Sequence, residues 1–162
     1  MQPEELNHLV EGGRYGWPYI HGDGQVNPQD EPPGNMTSAE WAEMSREPLL
    51  MFDAHAAPMQ MLFYAGSQLP EEYRGDAFLA MRGSWNRKPP SGYHILRIRF
   101  EDGKPTGSEP FLDGFLVRQA NGEYGQLGRL MGLAVAQDGS LLVSDDSNGI
   151  IYRVSYSGES GR

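Results

Sequence analysis

The chain has 162 residues, a usual length for a single domain and enough to bury a hydrophobic core. Its 13 basic residues are outnumbered by 22 acidic ones, giving a net charge of −9, and they form no basic stripe, which argues against nucleic acid as a partner. The absence of cysteine excludes disulfides and thiolate metal sites. No apolar run approaches the roughly 20 residues needed to span a bilayer, so no membrane span is expected.

The first third of the chain is rich in turn-forming residues and carries one helix signal. We interpret residues 1–20 as the end of a structural element and predict a long polar loop over residues 21–53. Within that loop Thr37 and Glu40 have the spacing of a capping box, in which each side chain satisfies a free backbone amide of a helix start. We therefore predict a short helix from Ser38 to Ser45.

Beyond residue 54 the apolar runs become regular and are separated by Gly, Pro or Asp, as expected of short strands. A turn at Glu101–Lys104 divides the last two strands of this region, which we assign to one sheet over residues 54–117. The predicted strands are Met59–Tyr64, Ala77–Met81, Tyr93–Phe100 and Pro110–Leu116.

A second series of strands occupies residues 128–157 and predicts a three-stranded antiparallel meander. Its strands are Leu133–Ala136, Leu141–Ser144 and Ile150–Tyr156, and the first two are joined by an Asp-Gly hairpin. Two successive meanders of roughly 45 to 55 residues match the blade period of a β-propeller. With 21 Gly and 12 Pro, the composition also favours an all-β fold.

Two blades and the tail of a third are too few to close a propeller, which needs about four to eight. We therefore expect part of a ring, with both chain ends cut. The open blade edges are expected to self-associate, because an unpaired strand offers free backbone groups to another chain.

Three segments together resemble the C-terminal part of the glucose/sorbosone dehydrogenase family, nearer its sorbosone-type branch. They are Glu5–Pro18, with Gly-Gly-Arg-Tyr-Gly-Trp-Pro; Ala54–Arg87, ending in Gly-Ser-Trp-Asn-Arg; and Gly128–Val154, with the Asp-Gly-Ser-Leu hairpin. The resemblance implies a six-bladed propeller that binds pyrroloquinoline quinone (PQQ) and calcium and oxidises the hemiacetal or aldehyde carbon of an aldose or sorbosone by hydride transfer. It also implies a periplasmic or secreted location, although the residues alone leave localisation open.

The family's catalytic histidine belongs to an earlier blade than those present, so no catalytic residue is assigned and the chain is expected to be inactive alone. The resemblance places structural calcium at Glu5 and the backbone carbonyl of Tyr15. Arg129 matches an arginine that pairs with a cofactor carboxylate, and Met131 replaces a second arginine of the glucose-oxidising branch. Arg87 and Arg82 remain alternatives for a cation beside the quinone oxygens, because an insertion makes their alignment ambiguous.

Two other functions stay open. One is a non-catalytic binding or assembly module that completes a ring with other copies. A propeller hydrolase of the lactonase type is less favoured, because its calcium site needs carboxylates from several blades. The four histidines show none of the paired spacing of a zinc site.

Overall fold

The computed structural model describes residues 1–158, which divide into two compact units at Ala54 and His55. Both units contain more strand than helix, and the chain is all-β, as predicted. Among the described residues, no helix is long and apolar enough to cross a membrane.

The first unit consists of two short strand pairs and one helix. Strand β1 (Glu4–Leu6) pairs antiparallel with β4 (Leu50–Phe52), and β2 (Ile20–His21) forms a hairpin with β3 (Gln25–Val26). None of these strands was predicted, because two or three residues are too few to show periodicity. The pairing of β1 with β4 joins segments more than 40 residues apart.

The predicted helix is confirmed as α1 (Ser38–Glu43), two residues shorter than expected. Its capping box is formed as predicted, with the Glu40 N–H donating to Thr37 Oγ1 at 3.2 Å and the Thr37 N–H donating to Glu40 Oε2 at 2.8 Å. Trp41 anchors the helix, because its indole N–H donates to the Gly16 carbonyl at 2.8 Å and its ring lies edge-on to Tyr19.

The second unit contains a complete four-stranded antiparallel sheet in the order β5-β6-β7-β8, followed by a short hairpin, β9 with β10. All five residues of β6 are buried, and a 3₁₀ helix at Glu71–Tyr73 lies between β5 and β6. The strands are β5 (Pro58–Phe63), β6 (Ala77–Met81), β7 (His94–Glu101), β8 (Lys104–Leu112), β9 (Leu116–Arg118) and β10 (Tyr124–Gln126).

The predicted boundaries of β5, β6 and β7 are confirmed to within one residue, whereas the prediction for β8 was wrong. That strand begins at Lys104 rather than Pro110 and ends at Leu112. It is an edge strand, so Pro105 and Pro110 need no ladder partner on their outer side. Its polar, half-exposed sequence hid it from a search for apolar runs.

The predicted meander is confirmed as β11 (Leu130–Val135), β12 (Leu141–Asp145) and β13 (Ile150–Val154). It packs against the four-stranded sheet through one hydrophobic core to which both sheets contribute. The fully buried members include Tyr64, Phe78 and Ile95 from the first sheet and Leu130, Leu141 and Val143 from the second. These two sheets are the blades of a partial β-propeller.

Gln60 joins the two blades where β11 bulges between Leu130 and Leu133. Its amide nitrogen donates to the Leu133 carbonyl at 2.9 Å, and its amide oxygen accepts from the Leu133 N–H at 2.9 Å. The side chain therefore pairs with the bulged strand as a neighbouring backbone would.

Antiparallel topology sorts the loops of the second unit into two groups. Loops 82–93, 127–129 and 146–149 lie at one end of the sheets together with the β9–β10 hairpin, and we call this the cavity end. Loops 64–76, 101–104 and 136–140 lie at the opposite end, which we call the far end.

Candidate functional site

A cavity of about 550 Å³ opens at the cavity end of the second unit, within the size range of small-molecule sites. Its wall brings together residues from the β6–β7 loop, the β9–β10 hairpin and the start of β11. We call it the basic cavity because four cationic side chains line it: Arg82, Arg87, Lys88 and Arg129.

The charge of the basic cavity is opposite to that of the chain. Four of the 13 basic residues converge here with one acidic lining residue, Glu123, although the whole chain carries a net charge of −9. Cationic side chains on the walls of one cleft focus a positive potential into it. The cavity is therefore suited to an anionic ligand.

Arg82 and Arg129 are held by the same carboxylate. Arg129 Nε donates to Asp146 Oδ1 at 3.0 Å, and Arg82 Nε donates to Asp146 Oδ2 at 3.2 Å. The three side chains are 25–32% exposed, so they are accessible from the cavity. All three arginines predicted as cofactor contacts thus lie in one cavity wall.

The loop that carries Trp85 and Arg87 is held rigid at its base. The Ser84 N–H donates to the Ser91 carbonyl at 2.9 Å, and the Ser91 N–H returns a bond to Ser84 Oγ at 3.0 Å. Gly83 has φ of +106°, and a Cβ there would lie 2.4 Å from the Tyr93 ring, so only glycine allows this close approach.

Within residues 1–158, three of the four non-glycine residues with positive φ lie in the segments that form the base of this loop. They are His55 at 62°, Ala57 at 54° and Tyr93 at 66°. The segment 56–57 is bonded to the loop, because the Ala56 and Ala57 carbonyls accept from the N–H groups of Gly83 and Arg82. Such strained backbone clusters at functional sites, where the surrounding structure holds it in place.

Aromatic side chains border the basic cavity. Trp85 is 89% exposed and is the most exposed large aromatic side chain of the described residues, while Tyr124 is 43% exposed. Exposed rings beside guanidinium groups can stack on a planar ligand or a sugar face. The sequence did not point to Tyr124 or Lys88, because nothing local marks their convergence with Arg129.

Asp145, beside Asp146, anchors the cavity end from within. It is 2% exposed, and its Oδ1 accepts from the backbone N–H groups of Arg129, Ser147 and Asn148 at 2.8 to 3.3 Å. Burial alone would raise the pKa of Asp145, but these hydrogen bonds outweigh it and hold the pKa below its ordinary value. A Cβ on Gly128 would lie 2.4 Å from Asp145 Oδ2, so glycine is required there.

The two predicted calcium ligands lie in the first unit. Glu5 Oε1 accepts from the Gly22 N–H at 2.6 Å, and its Oε2 accepts from Asn7 Nδ2 at 3.0 Å. The Tyr15 carbonyl accepts from the Trp17 N–H at 3.0 Å. Glu5 and Tyr15 line different small cavities, which share Ile20 and His21.

An unpartnered oxygen lies beside Glu5. Asn7 Oδ1 is buried without a hydrogen-bond partner, although Asn7 Nδ2 is bonded to the Glu5 carboxylate. Across residues 1–158, no cluster of three or more His, Cys, Asp or Glu side chains could hold a metal ion. Calcium takes six to eight oxygens, so Glu5 and Asn7 by themselves offer too few for a tight site, and the Tyr15 carbonyl lines a different cavity.

The basic cavity, in contrast, fits a planar polycarboxylate such as PQQ. Guanidinium groups bind carboxylates through paired N–H donors, and the rings at the rim offer apolar faces. This fit depends on Arg82, Arg87 and Arg129, the three residues for which the sequence predicted cofactor contact.

The chain is similar to proteins that include a quinone-dependent sugar dehydrogenase. A pyrroloquinoline quinone-dependent pyranose dehydrogenase from Coprinopsis cinerea is 27% identical over 134 residues, covering 74% of this chain and 18% of that protein. A calcium structure of a Trichoderma reesei protein of Carbohydrate-Active Enzymes Family AA12 superposes with a TM-score of 0.65 at 25% identity, covering 93% of this chain and 42% of that one. These matches confirm the predicted resemblance.

The chain spans less than half the length of the relatives it matches. An uncharacterised protein from Borreliella burgdorferi is 33% identical over 159 residues, covering 96% of this chain but 40% of that protein. The TrAA12-like family matches residues 21–157, which include both blades and the whole basic cavity. The chain therefore belongs to the TrAA12-like family.

Proposed function

We propose that the chain forms part of the PQQ pocket of a sugar dehydrogenase that oxidises the hemiacetal or aldehyde carbon of an aldose or sorbosone. The observation that carries this proposal is the convergence of Arg82, Arg87, Lys88 and Arg129 on one cavity in an acidic chain. When bound, PQQ would supply the two-electron acceptor for hydride transfer from the sugar.

The residues of the chain have separate roles in this proposal. Arg129 pairs with a carboxylate of the cofactor, and either Arg87 or Arg82 places positive charge against the quinone oxygens, where it stabilises the reduced ring. Trp85 at the rim offers a stacking surface to the sugar. The family resemblance also supports a periplasmic or secreted location, which fractionation of the source cells tests.

Binding of PQQ to the chain tests the cofactor role directly. We expect saturable quenching of tryptophan fluorescence by PQQ and at least about tenfold weaker binding in Arg129→Gln, because a bidentate charge-assisted bond is lost. Arg153→Gln is the matched control, since Arg153 pairs with Asp138 at the far end. Equal affinity of Arg129→Gln and wild type would overturn the role of Arg129.

The same titration assigns the second arginine. Of Arg82→Gln and Arg87→Gln, the variant that shifts the absorption spectrum of bound PQQ more is expected to be the one facing the quinone oxygens. The neutral trimethyl ester of PQQ should bind wild type weakly, because it cannot form ion pairs with the arginines. Equal binding of the ester and the free acid would show that charge does not guide recognition.

We further propose that these residues do not turn over sugar by themselves. None of the four histidines in the chain lines the basic cavity, so the histidine base expected of the family is not supplied there. A mixture of the chain, PQQ, calcium, an aldose and a redox dye should reduce dye no faster than a cofactor blank. Robust dye reduction would show that a base is present in the chain.

Calcium at Glu5 is a separate proposal, supported by the Glu5 carboxylate and the unpartnered Asn7 Oδ1. Millimolar calcium should raise the thermal unfolding midpoint of wild type, because a ligand that binds only the folded state stabilises it. The increase should disappear in Glu5→Gln. The same increase in both proteins would place calcium elsewhere.

A second function, ring completion through self-association, is favoured by one observation. Strand β13 pairs only with β12 among the described residues and carries Ile150 and Ile151, which are 43% and 69% exposed. An open apolar edge is a template for another strand. Light scattering should show a defined oligomer, whereas a clean monomer would contradict this function.

A further inference from the structure

Asp146 lies between two of the three arginines of the basic cavity, Arg82 and Arg129, and is not itself one of the lining residues. Each of its carboxylate oxygens accepts from a different arginine. Arg82 follows β6 and Arg129 precedes β11, so a single carboxylate ties together side chains from two blades.

Both hydrogen bonds use the inner nitrogen, Nε, of the guanidinium group. Among the residues that the structure describes, Nη1 and Nη2 of Arg82 and Arg129 have no protein partner. The outer nitrogens are those that bind a carboxylate side by side. Asp146 thus holds each guanidinium while leaving its ligand-binding donors unused.

Asp146 is itself held in place. Its N–H donates to the Arg129 carbonyl at 3.1 Å, and the preceding residue, Asp145, is buried and bonded to the backbone of Arg129, Ser147 and Asn148. The bridging carboxylate therefore sits on a fixed turn. A rigid support is what a binding site needs to keep its donors preorganised.

We propose that Asp146 is a positioning residue that sets the spacing and orientation of Arg82 and Arg129, so that the basic cavity selects ligands carrying at least two carboxylates. The proposal rests on the PQQ pocket proposed above. Two guanidinium groups sharing one carboxylate retain one net positive charge, and a ligand with two carboxylates engages both at once.

A positioning role and simple electrostatics predict opposite effects of removing the Asp146 charge. Loss of a negative charge beside an anion site strengthens anion binding by Coulomb attraction alone. Loss of the bridge frees two flexible side chains, which must then be ordered by the ligand at an entropic cost. The sign of the change in PQQ affinity therefore separates the two explanations.

The experiment is a fluorescence titration of the chain with PQQ in wild type, Asp146→Asn and the matched control Asp138→Asn, whose aspartate pairs with Arg153 at the far end. We expect Asp146→Asn to bind PQQ about tenfold more weakly, in line with loss of a charge-assisted hydrogen bond, and Asp138→Asn to bind as wild type does. Equal or tighter binding by Asp146→Asn would overturn the positioning role and leave the PQQ pocket intact. Failure of wild type to bind PQQ would overturn both proposals.

A second measurement separates positioning from loss of fold. In an Arg82→Gln/Arg129→Gln background, the further change Asp146→Asn should no longer weaken residual PQQ binding, because the residues through which it acts are gone. If Asp146→Asn weakens binding equally in both backgrounds, the residue acts through the general stability of the cavity end and the positioning role is wrong. Unfolding midpoints of the same proteins show directly whether the fold is retained.

Discussion

The two ends of the second unit use the same pair of residue types, arginine and aspartate, for different purposes. At the far end every side-chain nitrogen of Arg97 donates a hydrogen bond to the protein. Nε donates to Asp76 at 2.7 Å, Nη1 to Glu109 at 3.3 Å and Nη2 to the Glu72 carbonyl. At the cavity end Arg82 and Arg129 each donate only Nε, and both donate to Asp146.

The far-end side chains are also more deeply buried than the cavity-end ones. Arg97 and Asp76 are 11% and 7% exposed, whereas Arg82, Arg129 and Asp146 are 25–32% exposed. Burial alone would lower the pKa of Arg97, but the hydrogen bond and charge of Asp76 outweigh it and raise the pKa above its ordinary value. At the far end, Arg97 and Asp76 therefore form a buried ion pair that stabilises the fold. At the cavity end, Arg82 and Arg129 keep N–H donors that can bind a ligand.

The largest expected effect is at the far-end pair. Asp76→Ala should destabilise the chain by about 3–5 kcal/mol, because it leaves Arg97 buried without its main counter-ion and the Phe100 N–H without its acceptor. Asp146→Ala, the cavity-end counterpart, should cost less than about 1 kcal/mol, because that pair is exposed. Urea unfolding of both variants measures the difference, and equal losses would contradict the division of roles between the ends.

Asp145 sharpens the comparison, because it is a structural aspartate at the cavity end. Asp145→Asn should lose about 2 kcal/mol at pH 7, since one carboxylate oxygen that accepts from Asn148 and Tyr152 becomes a donor. The lowered pKa means that the wild-type carboxylate stabilises the fold above the unfolded-state pKa of about 3.9 and loses this contribution as pH falls through the lower folded value.

The wild-type advantage over Asp145→Asn should therefore shrink between pH 5 and the strongly acidic range. Urea unfolding at a series of pH values checks this. A gap that stays constant with pH would show that the hydrogen bonds, rather than the charge, carry the contribution of Asp145.

Removing the Tyr64 hydroxyl tests how much buried hydrogen bonds at the far end stabilise the fold, without any change of charge. It is 1% exposed, and its hydroxyl donates to the Gly139 carbonyl at 2.6 Å and accepts from the Leu69 N–H at 3.0 Å. Tyr64→Phe should cost about 2 kcal/mol, because buried backbone groups of two loops lose their partner. Tyr124→Phe at the cavity rim should change stability by less than about 0.5 kcal/mol, and a similar cost for both would show that burial does not separate the ends.

Among the changes to residues that hold the fold together, the one at Gln60 should give the smallest effect. Gln60→Leu removes both hydrogen bonds to Leu133 and should cost about 1 kcal/mol, because Gln60 is itself exposed and water can replace part of what is lost. Hydrogen exchange of the Leu133 amide is the sensitive measurement, since that group loses its acceptor. Unchanged protection would show that the bulge in β11 is held by the sheet alone.

Local patterns in the sequence were enough to predict much of the fold. Apolar runs marked β5, β6 and β7, the Asp-Gly hairpin marked the meander, and Thr37 with Glu40 marked the helix. Each signal arises from neighbouring residues, whose side chains face a buried surface or satisfy nearby backbone groups. Strand β8 was misplaced because its edge position tolerates polar and proline residues that carry no such signal.

The residues of the candidate site, too, were only partly predictable from the sequence. Resemblance of short segments to a known family singled out Arg82, Arg87 and Arg129, but nothing local indicated that Asp146, Lys88 and Tyr124 would converge with them.

The sequence by itself determined the all-β class and the order of most strands, because both depend on residues close together in the chain. Resemblance of short segments to a known family predicted a cofactor role for three arginines. Only the tertiary structure decided that Arg82 and Arg129, 47 positions apart in numbering, share the Asp146 carboxylate. That contact depends on how two blades pack and where their loops emerge. Packing over such distances is set by the whole core, and no local pattern records it.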